Sequence, residues 1–316
     1  LLPLAICARA RRAGRTARHS MTLRRLVARC ATTARASTSA AAIDASRATR
    51  VRRHETSAVK DDAGKLPGQV DAREKAKFEA DAALWWNEGE GPFAALHAMN
   101  PVRVRFIRDG LVGQYGDVLG GNGPGAALRG LKILDVGCGG GILAESLARL
   151  GAQVTAIDAG AANIAIARAH AELDPDLVKN LKYEAVTAEE LVERGETFDC
   201  VTSLEVIEHV TDPLEFTKSI AKLVKPKGAL FVSTINRTAR SFAFAILAAE
   251  RVLGLVPPGT HQFSKFLTPG EIAMMAGHAN CEMVELAGMV YDPLRNKWSL
   301  SSDTQINFIA HCVKSS

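Results

Sequence analysis

Near the middle of the chain, Lys132-Ile133-Leu134-Asp135-Val136 breaks abruptly into Gly137-Cys138-Gly139-Gly140-Gly141. A short run carried by Ile133, Leu134 and Val136 and bounded by turn residues reads as a buried parallel strand. The glycines let the chain take positive φ and let backbone come close to a ligand. Ile142 to Leu150 then shows helical spacing. Strand, glycine turn and helix together open a parallel crossover, and the pattern repeats. Strands are predicted at 153–157, 182–186, 198–203 and 229–234, with helices at 161–172 and near 212–224 and two late strands near 282–290 and 305–313. This alternation predicts an α/β fold: a doubly wound, seven-stranded, mostly parallel Rossmann-like sheet with an N-terminal helical extension. Such a sheet binds its ligand at the carboxyl ends of its strands.

Asp158 closes the second strand, where a carboxylate can accept hydrogen bonds from both hydroxyls of a ribose. Dinucleotide enzymes share this pair of features, but their GxGxxG spacing fails here because the sixth position from Gly137 is Ile142. Asp135 ahead of Gly137 and Gly139 instead resembles motif I of class I methyltransferases. That resemblance implies a loop that holds the amino-acid part of S-adenosyl-L-methionine, and a strand-two acid that holds its ribose.

Leu204-Glu205-Val206-Ile207-Glu208-His209-Val210 follows the fourth strand directly. On one helical turn, Glu205, Glu208 and His209 at i, i+3 and i+4 would share a face. Two carboxylates and an imidazole there could bind a divalent cation. A phenol with pKa near 10 is mostly neutral at pH 7, so a metal on adjacent hydroxyls would favour the phenolate nucleophile. His209 acting as general base without metal is the alternative. A segment of this kind also fits a turn that merely packs near the donor.

Charge is unevenly spread. Residues 1–53 hold thirteen Arg, no Lys and one acid, Asp44; against a whole-chain charge of +5, this leaves the remaining 263 residues at −7. An acidic body argues against nucleic acid as a partner. The Arg-, Ala- and Ser-rich head is expected to be an organelle transit peptide, cleaved or disordered, with a basic nucleic-acid-binding arm as the alternative. Residues 54–70 read as a linker and 71–316 as the folded domain. The six cysteines show no CxxC pair or metal-finger spacing and read as free thiols. The longest apolar stretch in the C-terminal half, from Phe242, stops at Glu250-Arg251, short of the ~20 residues a bilayer needs.

Further segments resemble the ubiquinone biosynthesis O-methyltransferase family. They are Lys77-Phe78-Glu79, Trp85-Trp86-Asn87, Phe93, Leu96-His97 and Asn100-Pro101-Val102-Arg103, then Ser233-Thr234-Ile235-Asn236-Arg237, Val256-Pro257-Pro258-Gly259-Thr260-His261 and Lys265-Phe266, and finally Tyr291-Asp292-Pro293 and Asn307-Phe308-Ile309-Ala310-His311. Asn87 departs from the Asp usual after the Trp pair. The resemblance, over about 72–314, implies O-methylation of polyprenylated catechol rings (dihydroxybenzoate and demethylubiquinol types), with S-adenosyl-L-methionine as donor and a divalent cation, Mg²⁺, as helper. It assigns donor contact to Arg103, Gly137, Asp158 and Leu204, beside Gly139 of the loop. It assigns metal ligation to Glu205, Glu208 and His209, which are thereby also the expected catalytic residues. It implies a mitochondrial address, at the matrix face of the inner membrane, within a multi-subunit biosynthetic assembly. A noncatalytic scaffold in such an assembly is the rival from another class. Phe242, Ile246, Ala249, Leu253 and Val256 form an apolar stripe, so an insertion at about 238–267 is expected either to rest on the membrane and admit a lipid-tailed substrate or simply to pack on the sheet.

Overall fold

The computed structural model describes residues 69–89, 91–116, 119, 126–242 and 263–316. The Arg-rich head, residues 54–68 of the linker, and Ile246, Ala249, Leu253, Val256 and His261 of the insertion lie outside the described residues. The order is α1 (Ala72–Ala80), α2 (Ala94–Tyr115), β1 (Lys132–Val136), α3 (Ile142–Arg149), β2 (Gln153–Ile157), α4 (Ala161–Ala171), β3 (Leu181–Glu184), α5 (Ala188–Glu193), β4 (Phe198–Leu204), α6 (Pro213–Lys222), β5 (Val224–Ile235), α7 (Pro269–His278), β6 (Cys281–Asp292), β7 (Lys297–Ser301) and β8 (Asn307–Lys314). Gln69 and Val70, placed in the linker by composition, join the 210–211 segment: Val70 bridges to Val210, and the Thr211 amide donates to the Gln69 carbonyl.

The sheet order is β3-β2-β1-β4-β5-β8-β6-β7. The five strands from β3 to β5 pair in parallel, and β8, β6 and β7 add antiparallel. The described residues thus carry eight strands, where seven were expected. The extra one is β7, whose Lys-Trp-Ser-Leu-Ser offers only two apolar residues and so a weak strand signal. It forms because it hairpins back on β6, Gly288 facing Ser301 and Asp292 facing Lys297, through a turn with Asn296 at φ 49°.

Period-two alternation sends neighbouring strand residues into opposite layers. Ile133, Val154 and Phe231 meet Ile107 and Leu111 of α2 and Leu147 of α3 on one face. Leu134, Val201 and Leu230 meet Phe216 and Ile220 of α6 and Ile272 of α7 on the other. Both faces being covered explains why the central strands read as continuous apolar runs. Local signals start the helices: Asp212 accepts from the amides of Leu214 and Glu215 ahead of α6, with Pro213 at its first position, and Thr268 and Glu271 form a capping box on α7. Cys138, Cys200, Cys281 and Cys312 are buried free thiols, as read from their spacing.

Winding runs from β1 through β2 to β3, then crosses back to β4 on the other side of β1. That reversal leaves a crevice at the carboxyl ends of β1 and β4. The glycine loop and the Glu205–His209 segment both start there.

Candidate active site

The loop after β1 is held from below and hemmed in from above. The amides of Gly137 and Cys138 both donate to the carbonyl of Ile157 at the end of β2, at 2.8 and 3.0 Å. Gly137, Gly139 and Gly141 sit at φ 74°, 53° and 91°. A Cβ on Gly137 would strike Val206, and one on Gly139 or Gly140 would strike the Trp85 ring. Trp86 Nε1 donates to the Gly140 carbonyl at 2.9 Å, and Trp85 Nε1 donates to Asn163 Oδ1 at 3.0 Å. The Trp pair therefore clamps the loop.

Asp158 lies beside it. Its Oδ2 accepts from the Gly139 amide at 3.0 Å, and Oδ1 accepts from the Gly160 amide at 2.7 Å and Asn163 Nδ2 at 3.1 Å. Burial still wins over these donors and raises its carboxyl above the usual range. A carboxylate offers about four lone-pair sites, so capacity remains for a ligand hydroxyl. On β1, buried Asp135 accepts from Thr202 Oγ1 at 2.8 Å. Desolvation pushes it up to about 7, against that bond and the nearby Arg103 charge.

Arg103 comes from α2 and is buried, with Nη2 3.2 Å from Glu205 Oε1. Its Nε has no hydrogen-bond partner. Leu204 ends β4 with a buried side chain. Glu205 then takes φ 57°, its amide donating to the Ser233 carbonyl at 3.0 Å and its Oε1 accepting from Ser233 Oγ at 2.7 Å. A non-glycine residue in the left-handed region costs about 1–2 kcal/mol, a strain held here by both bonds to Ser233.

That backbone corrects one expectation. Glu205, Glu208 and His209 do not stand on one helical turn. The left-handed residue breaks the run, and only Ile207–His209 form a 3₁₀ turn. Glu205 faces Arg103. Glu208 is buried, its Oε2 has no hydrogen-bond partner, and desolvation, with the neighbouring Glu205 charge, pushes its carboxyl up to about 7 against the pull of His209. His209 faces α1: its Nδ1 lies 3.1 Å from Glu74 Oε2, and Phe78 meets its ring edge-on. Burial disfavours the imidazolium, but the bond to Glu74 and the charge of Glu208 outweigh it and raise His209 above the ordinary value. Among the described residues no three carboxylate, imidazole or thiol side chains are gathered into a ligand set. Sequence reasoning missed Glu74 and Asn163 as partners in the site. Glu74 is separated from His209 by 135 positions, and no spacing rule reaches that far.

The two halves touch. Val206, between Glu205 and Glu208, packs on the Cα of Gly137. The sequence matches the family described as "Methyltransferase domain" over residues 113–286. It is 48% identical over 243 residues to the mitochondrial ubiquinone biosynthesis O-methyltransferase of Arabidopsis thaliana, covering 76% of this chain and 73% of that protein. The chain belongs to the ubiquinone biosynthesis O-methyltransferase family. A bacterial member, from Azorhizobium caulinodans, is 47% identical and spans 76% of this chain and 92% of its own. The mitochondrial member of Mus musculus is 44% identical over 78% of this chain and 65% of its own length. Among solved structures, magnesium protoporphyrin IX methyltransferase from Synechocystis PCC 6803 with bound SAH superposes with a TM-score of 0.54 at 19% identity, over 76% of this chain and 98% of that one, a likeness of fold. Family membership makes the chain an S-adenosylmethionine-dependent O-methyltransferase of ubiquinone biosynthesis.

Proposed function

We propose that the chain methylates a catechol hydroxyl on polyprenylated dihydroxybenzoate and demethylubiquinol rings. The donor would lie over Gly137 and Gly139 with its ribose at Asp158, its carboxylate at Arg103 and its adenosyl end beside Leu204. The acceptor would lie against Glu205, Glu208 and His209. The observation that carries this reading is the contact of Val206 with Gly137. It sets the acidic segment directly against the donor loop, as in-line transfer from a sulfonium requires.

The chain's own contribution is then positional and electrostatic. Arg103 supplies a fixed positive charge on the donor side, with a spare Nε donor for a carboxylate. His209 can take the phenol proton, its other ring nitrogen being engaged by Glu74. The donor set also suits a hard divalent cation such as Mg²⁺, with two carboxylates, one imidazole and a buried carboxylate oxygen on Glu208 that lacks a partner. Glu205, Glu208 and His209 would hold it, with Glu205 exchanging its contact with Arg103 and His209 keeping its contact with Glu74. Bound there, the ion would favour the phenolate of the acceptor.

The mitochondrial relatives and the Arg-rich head support a mitochondrial address. A peripheral position at the matrix face of the inner membrane, beside other enzymes of the route, would bring a tailed substrate within reach. Among the described residues no helix is long and apolar enough to cross a membrane. Phe242 is 40% exposed at the start of the insertion and meets Phe263 edge-on, an apolar pair suited to a lipid surface.

Purified protein, labelled S-adenosylmethionine and a short-tailed dihydroxybenzoate, with and without EDTA, test the reading. Methylation lost on chelation and restored by Mg²⁺ supports metal assistance, and methylation indifferent to EDTA leaves His209 as sole base. No methylation of the catechol in either arm rejects the acceptor assignment.

A further inference from the structure

We infer that Glu74 is a positioning residue for His209, fixing its ring so that Nε2 is the nitrogen offered to the acceptor side. The inference rests on the proposed role of His209, and it holds whether that nitrogen takes a proton or meets a metal ion.

The geometry is specific. Glu74 Oε2 lies 3.1 Å from His209 Nδ1, and the two side chains are only 13% and 17% exposed. A carboxylate only accepts, so Nδ1 must carry the hydrogen, and in the neutral ring the Nε2 lone pair is left free. Free imidazole has no such constraint; here the tautomer is set by a partner on another element. Phe78, one turn along α1, closes on the ring edge at 5.2 Å and limits its rotation.

Glu74 is itself held. Lys265 Nζ is 3.8 Å from Glu74 Oε1 and 3.4 Å from Asp71 Oδ2. Asp71 in turn caps α1, accepting from the amides of Arg73 and Glu74. Other charged groups facing His209 are Glu208, beside it in sequence, and Lys77, whose buried Nζ makes no hydrogen bond and lies 6.0 Å from the Phe78 ring centroid. The chain after β5 and the first helix thus converge on one carboxylate, and that carboxylate holds one imidazole. A carboxylate behind a histidine typically contributes 10–100-fold to metal affinity or activity.

The test uses the full chain with ¹⁵N-labelled histidine, His209 being assigned by difference against His209→Gln. With the pH raised until the ¹⁵N shifts report a neutral ring, the Nδ1–H tautomer is expected in the wild type and a mixture or the Nε2–H form in Glu74→Ala. Glu74→Gln keeps an acceptor oxygen and should restore the tautomer. Turnover should fall 10–100-fold in Glu74→Ala and recover substantially in Glu74→Gln, while affinity for S-adenosylhomocysteine stays within about threefold. An Nε2–H tautomer in the wild type, or a tautomer and turnover unchanged in Glu74→Ala, would overturn the inference. If the wild type methylates no catechol, the acceptor reading fails, and the tautomer spectrum still decides the role of Glu74.

Discussion

Arg103 Nη2 stands 3.2 Å from Glu205 Oε1, and both side chains are almost wholly buried. This one ion pair joins α2, on the side proposed for the methyl donor, to the segment proposed to face the acceptor. Removing one partner of a buried pair leaves an uncompensated charge, typically a loss of 3–5 kcal/mol. The pair therefore couples two functions that mutagenesis can separate.

Arg103→Lys keeps the charge but loses the planar fork. Charged hydrogen bonds contribute about 1.5–3 kcal/mol each, so S-adenosylhomocysteine should bind about tenfold more weakly or worse by calorimetry, with the fold retained. Unaltered affinity would remove Arg103 from the donor site.

Gly139→Ala tests whether the glycine loop is dictated by its neighbours. The new Cβ would meet the Trp85 ring at φ 53°. A drop of about 2 kcal/mol or more in unfolding free energy is expected, together with loss of donor binding. Trp85→Ala in the same chain relieves the collision, so the double variant should be more stable than the two single effects predict. Strict additivity would mean that the ring does not press on the loop.

Asp135 gives stability a pH slope. Its folded value is pushed up to about 7 from 3.8, so between those values the folded state binds more protons than the unfolded chain. Stability from this group is therefore fully present below about pH 4 and is lost as pH rises through 7. Asp135→Asn, a neutral mimic, should gain melting temperature relative to wild type on going from pH 5 to pH 8. A scan showing the same difference at both pH values would refute the buried carboxylate's titration.

Much of this was legible in advance. The Gly137–Gly141 loop and Asp158 declared themselves because their chemistry is local, a few residues at the ends of adjacent strands. Glu205, Glu208 and His209 were singled out from the same kind of local signal, but their arrangement is not the helical one expected. Helical spacing assumes helical backbone, and Glu205 at φ 57° is held out of it by Ser233, a residue on the neighbouring strand. β7 was missed because a hairpin to β6 overrides its weak alternation. The Trp85–Asn163–Asp158 chain and the Glu74–His209 contact were illegible because each joins segments brought together only by the finished fold.

Glu208→Gln separates the acceptor side from the donor side. The glutamine keeps the volume in a site where Oε2 is buried and unpartnered, so little packing changes. It loses the negative charge that would meet a cation and that raises His209. The donor contacts proposed at Arg103, Gly139 and Asp158 do not involve Glu208. Turnover should therefore fall by about 10²-fold or more, as for loss of an interaction made mainly at the transition state, while S-adenosylhomocysteine affinity changes by less than about threefold. Single-turnover rates and calorimetry on the same preparation check both halves. Equal loss of donor affinity and turnover would mean that Glu208 supports the donor pocket, and the division of labour across Val206 would have to be redrawn.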